Sequence, residues 1–204
     1  MKLNLGCGDV APPEWVNVDF AIGARLCKIP VIGKISRRFL RSNWNPSIVL
    51  HDLRTRFPWA DDSVDIVYSS HSLEHLTRAD GERFMRETFR VLRVGGIVRI
   101  VVPDLWLEVD RYRSGDCDAR DFLSALNIAD SAEAPFIKRI YGMLSGQGHR
   151  CMYDEASLGD LMTSSGFTIV RRQPFESAIP GIADIEGAAQ TEDALIIEGY
   201  KEAA

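Results

Sequence analysis

Positive charge is in short supply in this chain: 24 Lys and Arg stand against 29 Asp and Glu, a net charge of -5 over 204 residues. A field of that sign repels polyanions, which argues against nucleic acid as the main partner. Cysteines are few. Cys7, Cys27, Cys117 and Cys151 form no C-x-x-C pair, which disfavours a disulfide framework or a cysteine zinc site and reads as reduced thiols in a cytoplasmic protein. Long apolar runs are missing too: stretches such as Ile97 to Pro103 are far too short to span a bilayer. The opening Met1-Lys2-Leu3-Asn4 lacks the apolar core expected of a signal peptide. There is no internal repeat and no low-complexity stretch. Acidic residues are wholly absent between Phe20 and Ser47.

The chain does have an alternation of strand-like and helical patterns at a length that suits one α/β domain with a full core. Strands are expected at Lys2 to Leu5, Trp15 to Asp19, Ile48 to His51, Asp65 to Tyr68 and Ile97 to Val102. Asp80 to Arg93 reads as an amphipathic helix with Phe84, Met85, Thr88, Val91 and Leu92 on one side. Gly95-Gly96 is expected to end it as a left-handed cap. The segment at about 105–145 looks mainly helical. Helix Glu155 to Ser164, strand Phe167 to Arg171 and strand Ala194 to Tyr200 close the chain. The last two strands suggest an antiparallel edge hairpin with a long connection.

The acid-free stretch at about 20–47 interleaves Arg25, Lys28, Lys34, Arg37, Arg38 and Arg41 with apolar residues at near-helical spacing. It reads either as a surface helix with a solvated basic face or as a helical lid over an anionic acceptor or against a membrane surface.

Leu3-Asn4-Leu5-Gly6-Cys7-Gly8 runs a strand into a glycine turn, where a backbone can approach a ligand closely. With Ala11 it even satisfies the dinucleotide fingerprint. That fingerprint needs a helix after the glycines to hold a pyrophosphate, and Pro12-Pro13 followed by Trp15-Val16-Asn17-Val18-Asp19 leaves no room for one. The acidic residue also arrives too soon, since the fingerprint places it about twenty residues on. What remains is a glycine turn and a carboxylate, Asp19, able to accept both hydroxyls of a ribose. The cofactor should contain ribose and need no phosphate cradle, which fits S-adenosylmethionine and not NAD or ATP.

Further segments follow in one order: His51-Asp52-Leu53, Phe57-Pro58-Trp59-Ala60-Asp61-Asp62-Ser63-Val64-Asp65, His71-Ser72-Leu73-Glu74-His75 and Arg90-Val91-Leu92-Arg93-Val94-Gly95-Gly96. Together with Leu3 to Gly8 and Val16 to Asp19 they resemble the small class I S-adenosylmethionine-dependent methyltransferases, particularly a bacterial branch often linked to glycan and envelope assembly. The resemblance is good over Met1 to Asp104 and looser over His149 to Lys201. It implies a Rossmann-like α/β fold with a mostly parallel seven-stranded sheet, an antiparallel last strand and helices on both faces. It also implies roles. Leu5, Gly6, Cys7 and Gly8 would border the methionine part of S-adenosylmethionine, Asp19 the ribose, and Asp52 and Leu53 the adenine edge. Ser69, Ser70 and His71 would form the floor near the sulfonium. Two features depart from the family. Its usual acid in the first strand is Asn4 here, and its usual helix after the glycine turn is nearly absent.

His71-Ser72-Leu73-Glu74-His75 also matches the H-x-x-E-H pattern of one metallopeptidase class. On a helix His71 and His75 would share a face, yet a motif placed at a strand exit suits an acceptor site better, and no metal is expected. A hydroxyl acceptor must lose a proton as it takes the methyl group, and imidazole suits that near neutral pH. His71 is the first candidate base and His149 the second, with His75 bracing the helix and Asp104 and Tyr153 as further pocket candidates. No Asn-Pro-Pro-Tyr or Asp-Pro-Pro-Tyr run is present, and no aromatic-studded basic groove suits single-stranded nucleic acid. A small-molecule or glycan acceptor, anionic if the basic stretch is a lid, is therefore expected. The competing expectation is a non-catalytic domain of this fold that binds S-adenosylmethionine, a nucleoside or a partner protein.

Overall fold

The computed structural model describes residues 1–28, 44–127 and 148–203. Seven strands form one sheet: β1 (Lys2–Leu5), β2 (Val16–Asp19), β3 (Val49–Leu50), β4 (Val64–Ser70), β5 (Leu92–Pro103), β6 (Thr168–Arg171) and β7 (Ala194–Tyr200). Their order is β3-β2-β1-β4-β5-β7-β6. Strands β1 to β5 pair in parallel, and β7 runs antiparallel to both β5 and β6. The described helices are α1 (Ile22–Cys27), α2 (Arg78–Val91), α3 (Leu105–Ser114), α4 (Ala119–Ala125), α5 (Glu155–Ser164) and the single turn α6 (Ala188–Thr191). The expected sheet, with its antiparallel final strand and long-connected edge pair, is the one found.

Parallel strands buried on both faces are rich in Val, Ile and Leu, as β4 is at Val64, Ile66 and Val67 and β5 at Ile97, Val98 and Ile100 to Val102. On one face Leu3, Leu5, Val67, Val98 and Ile100 pack under α2 and α5 through Phe84, Met85, Leu158 and Met162. Each such side chain contributes about 1.5–3 kcal/mol when fully buried. On the other face Trp15, Ile66, Tyr68, Val101 and Ile196 are covered by Ile179, Ile182 and Ile185 from the connection between β6 and β7.

The expected cap at Gly95-Gly96 is corrected by the structure. Helix α2 ends at Val91, Leu92 is already extended, and the chain passes straight into β5. Lys201 explains the early stop. Its ammonium donates to the carbonyls of Phe89 and Leu92 at 2.9 and 2.8 Å and sits 4.7 Å from the Phe89 ring centroid. A cation on the last carbonyls of a helix satisfies them and complements the dipole. Gly95, at φ 77°, then serves an irregularity in β5, its N–H donating to the Lys201 carbonyl.

Beneath the connection lies a group of charges in a strand that reads as apolar. Arg99 of β5, fully buried, donates from Nε and Nη2 to both oxygens of Glu186 at 2.9 and 2.8 Å. Its Nη1 donates to Glu198 Oε1 of β7 at 3.1 Å and to the Glu176 carbonyl at 2.9 Å, and Nη2 reaches the Gln173 carbonyl at 3.3 Å. All five guanidinium N–H groups are thereby used. Four of the five bonds go to acceptors in the connection, so this side chain helps to hold it on the sheet.

The expected helical segment at about 105–145 is helical where described, as α3 and α4; residues 128–147 lie outside the described residues. Of the basic stretch, α1 is described, while Lys34, Arg37, Arg38 and Arg41 lie outside.

Candidate functional site

The sheet order reverses between β1 and β4, because β1 leads outward to β2 and β3 while β4 leads to β5. In open α/β sheets the crevice beyond the carboxyl ends of the strands at such a switch point is where ligands bind. Register places Leu5 beside Val18, Val18 beside Val49 and Asn4 beside Tyr68, so the residues after Leu5, Asp19, Leu50 and Tyr68 share one rim.

The glycine turn opens that rim. Gly6 and Gly8 have φ of 74° and 55°, a region that costs other residues about 1–2 kcal/mol. The N–H groups of Gly6 and Cys7 both donate to the Val18 carbonyl, at 2.8 and 3.0 Å. A Cβ at Gly6 would lie 1.9 Å from Ser72 Oγ, so only glycine fits there. At Gly8 no described atom lies within 4 Å of where a Cβ would project. The backbone is thus bare on a side that a ligand can approach.

Asp19 ends β2, nearly buried, with Oδ2 accepting from the Gly8 N–H at 2.9 Å and Oδ1 from the Ala21 N–H at 2.7 Å. Each oxygen keeps a further lone-pair direction for a hydroxyl. The Cys7 thiol packs with Ala24 of α1 and Ile48, and burial, then the Asp19 charge, pushes its pKa up to about 12. It is a packing group, not a nucleophile. Leu53 lies 3.9 Å from the Gly6 Cβ position, which seats the loop after β3 beside the turn. Asp52 turns both carboxylate oxygens to Arg54, at 2.8 and 2.7 Å, and the Arg54 hydrogen bonds hold its pKa low.

The two departures noted in the sequence have one structural cause. Asn4 is 2% exposed and donates through Nδ2 to the Val10 carbonyl at 2.9 Å and to Asn17 Oδ1 at 3.0 Å. Asn17 in turn donates to the carbonyls of Pro12 and Trp15 at 2.9 and 3.0 Å. These amides staple the short loop that replaces a helix after the glycine turn. An acid at position 4 has no N–H to give. Asn4→Asp is expected to cost about 2–4 kcal/mol at neutral pH, since it buries a carboxylate against two acceptors. The new carboxyl's folded pKa would be raised, so the penalty should shrink as pH falls below that value. Thermal melts at pH 7 and pH 4 check both statements, and an unchanged neutral melt would refute them.

On the β4 side, Ser69 Oγ donates to the Leu5 carbonyl at 3.0 Å and Ser72 Oγ to the Gly6 carbonyl at 3.3 Å, locking β4's exit to the glycine turn. Ser70 is buried at the end of β4. His71 follows at φ 48°, its backbone N–H donating to the Val101 carbonyl. The helix imagined for His71 and His75 does not form: only Leu73–His75 make a single 3-10 turn. Nε2 of His71 lies 2.8 Å from the Gln190 carbonyl, and Nδ1 lies 3.4 Å from Glu74 Oε1. The Glu74 carboxylate, helped by that carbonyl and opposed by desolvation, raises the His71 pKa above the ordinary imidazole value. Sequence reasoning missed Gln190, which the connection between β6 and β7 brings to His71; Arg99 and the packed Ile179, Ile182 and Ile185 hold that connection on the sheet.

His149 approaches from the other direction. The N–H groups of Arg150 and Cys151 donate to the Glu74 carbonyl at 2.8 and 3.1 Å, and the His149 and His75 rings lie 5.3 Å apart. Burial lowers the His149 pKa, with Glu74 opposing. Tyr153 is buried in the main core, and burial drives its pKa up. Asp104 caps α3 by accepting from the Trp106 N–H at 2.9 Å. Asp104, directly after β5, also lines a cavity with Trp106, Asp154 and Arg171.

Residues 3–100 match the family model described as a methyltransferase domain. A curated relative, the methyltransferase GfsG of Streptomyces halstedii, is 32% identical over 108 residues, which is 50% of this chain and 37% of that protein. The chain therefore spans well under half the length of that relative. A putative methyltransferase of Haloferax volcanii, solved with the Trm112 activator, superposes with a TM-score of 0.52 at 14% identity, covering 99% of this chain and 82% of that one. A Burkholderia thailandensis 1,6-didemethyltoxoflavin-N1-methyltransferase, solved with 1,6-didemethyltoxoflavin and S-adenosylhomocysteine, gives 0.50 at 13%, covering 99% and 71%. At such identities the two structures speak for the fold alone. Strand order and the domain match agree: the fold is the Rossmann-like one these methyltransferases share, and residues 3–100 are similar to a methyltransferase domain.

Proposed function

We propose that this protein transfers a methyl group from S-adenosylmethionine to a hydroxyl of a small-molecule or saccharide acceptor. One observation carries the cofactor half of this reading. The bare backbone at Gly8 lies directly against the Asp19 carboxylate, a ribose site with no helix behind it for a pyrophosphate. In this assignment Gly6, Cys7 and Gly8 flank the amino-acid end, Asp19 takes the ribose hydroxyls, and Leu53 covers the adenine. Asp52 contributes through backbone or through the outer lone pairs of its Arg54-bound carboxylate. Ser69 and Ser70 support the rim below the reacting methyl.

The cofactor supplies an electrophilic methyl on a sulfonium, and the protein supplies alignment and a place for the acceptor's proton. In this reading the proton goes to the imidazole of His71, which follows β4 directly, or to that of His149. An anionic acceptor is favoured by the six basic residues between Phe20 and Ser47 in a chain of net charge -5. The described start of that stretch, α1, packs beside Cys7 of the glycine turn, which supports its covering the site.

Calorimetric titration with S-adenosylmethionine and S-adenosylhomocysteine tests the proposal. Both should bind one to one, and folded protein that binds neither refutes it. Asp19→Ala should weaken binding by about 1.5–3 kcal/mol, roughly 10- to 150-fold, the worth of charge-assisted hydrogen bonds to the ribose. Equal affinity in the variant would remove Asp19 from the site.

A further inference from the structure

Glu74 is the buried acid that the cofactor site does not use. Its side chain is 1% exposed, and neither carboxylate oxygen has a hydrogen-bond donor among the described residues. His71 Nδ1 stands at ion-pair distance from Oε1 without hydrogen-bond geometry, and Oε2 has no such neighbour. A buried carboxylate in that condition is costly unless something positive meets it. Two other side chains converge on it. One ligand atom each from Glu74, His75 and His149 all lie within 4.8 Å of one another.

The geometry points to a divalent metal site of the zinc class formed by Glu74, His75 and His149. Zinc takes imidazole nitrogen and carboxylate oxygen at about 2.0–2.2 Å, and sites with three protein ligands leave a fourth position open. Three atoms within 4.8 Å of one another need to move inward by no more than about 0.7 Å each to reach that shell. The surroundings suit ligation. His75 Nδ1 lies 3.2 Å from the Gly148 carbonyl, which can only accept, so this nitrogen carries the proton and the other ring nitrogen carries the lone pair. A carbonyl fixing the tautomer in this way is the usual outer partner of a ligating histidine. The backbone bonds from Arg150 and Cys151 to the Glu74 carbonyl hold the His149 segment against the 3-10 turn.

The sequence raised a metal only through a His71 and His75 pair on a helix that does not form, and the place of the motif at a strand exit spoke against it. The pair that does form draws His149 from far along the chain. A cation there would tie the segment after residue 147 to the β4 exit, beside His71 and the acceptor end of the rim. This inference stands apart from methyl transfer, since it is tested without cofactor or acceptor.

The test uses the full chain, stripped with a chelator, dialysed and titrated with zinc ion in competition with a chromophoric chelator. One tight site per chain is expected. Glu74→Gln and His149→Ala should each weaken it more than tenfold, whereas His51→Ala, in the loop after β3, should leave it unchanged. X-ray absorption on the zinc-loaded wild type needs no variant to fold, and it should show a nitrogen and oxygen shell with imidazole scattering. Failure to bind one zinc per chain, equal affinity in both ligand variants, or a shell dominated by cysteine sulfur would each overturn the assignment.

Discussion

Arg99→Met will lower the stability of the protein by about 3–5 kcal/mol, the cost of removing one partner from a buried charge cluster. The reason is specific to this position. The five hydrogen bonds of Arg99 include the bidentate pair with Glu186 and a bond to Glu198, and all three side chains are shielded from solvent. Methionine fills much of the volume but, among the described residues, leaves Glu186 with only the Phe175 N–H as a donor. Glu198 keeps Arg172, Ser177, Tyr200 and the Ala178 N–H. For a domain of this size each kcal/mol shifts the melting temperature by about 2–4 °C, so a fall of about 6–20 °C is expected. Adding Glu186→Gln to Arg99→Met should recover part of the loss, because it removes the stranded charge. A melt within 2 °C of wild type, or a strictly additive double variant, would show that the cluster does not hold the connection.

The same cluster makes a statement about acid. Burial pushes the Glu198 pKa upward, but hydrogen bonds from Ser177, Tyr200, Ala178 and Arg172 outweigh it and leave the pKa lowered. A folded pKa below the unfolded one means the contribution is complete at neutral pH and is lost as pH falls through the folded value. The connection between β6 and β7 is therefore a place where acid should begin to loosen the molecule, and with it the Gln190 carbonyl against His71.

The second large effect separates two glycines that look equivalent in the sequence. Gly6→Ala places a methyl 1.9 Å from Ser72 Oγ and 2.7 Å from Ser72 Cβ, at φ 74°. Overpacking costs about 1–3 kcal/mol and the left-handed backbone about 1–2 more, so a stability loss of about 2–5 kcal/mol is expected. The turn must also move, so S-adenosylmethionine affinity should fall with it. Gly8→Ala meets no described atom and keeps only the backbone cost at φ 55°. It should fold with a loss of about 1–2 kcal/mol, yet its methyl projects into the side proposed for the ligand, and binding should weaken by more than tenfold. Melting curves and calorimetry on the two variants decide the matter. Gly8→Ala binding S-adenosylmethionine as well as wild type would place the cofactor elsewhere.

Adding Ser72→Gly to Gly6→Ala should relieve the steric part and leave the φ strain. Partial recovery of stability is expected, because the glycine turn and the β4 exit are locked to each other through Ser72 and Ser69. This lock is how two loops distant in sequence become one rim.

Much of the protein was legible as sequence because the relevant physics is local or periodic. The strands β1 and β2 announce themselves by apolar residues at alternate positions and β4 and β7 by short Val, Ile and Leu clusters, and the stripe of Phe84, Met85, Thr88 and Val91 faces the core as its spacing requires. The glycine turn and Asp19 were readable because a strand, a glycine and a strand-end carboxylate are adjacent in the chain. Tertiary structure alone decided the rest, and in each case a partner came from far away. Helix α2 ends at Val91 and not at Gly95, and a side chain from far along the chain, Lys201, satisfies the last carbonyls. Arg99 is buried, not exposed, because carboxylates from β7 and its connection satisfy it. Asn4 replaces the family's acid because the loop it holds needs a donor. The histidine motif became an open 3-10 turn, and it brought Glu74 and His75 to His149, because the backbone after residue 149 bonds to the Glu74 carbonyl. Periodicity reports what a residue faces; it carries no information about which distant group completes a charge, a hydrogen bond or a coordination shell.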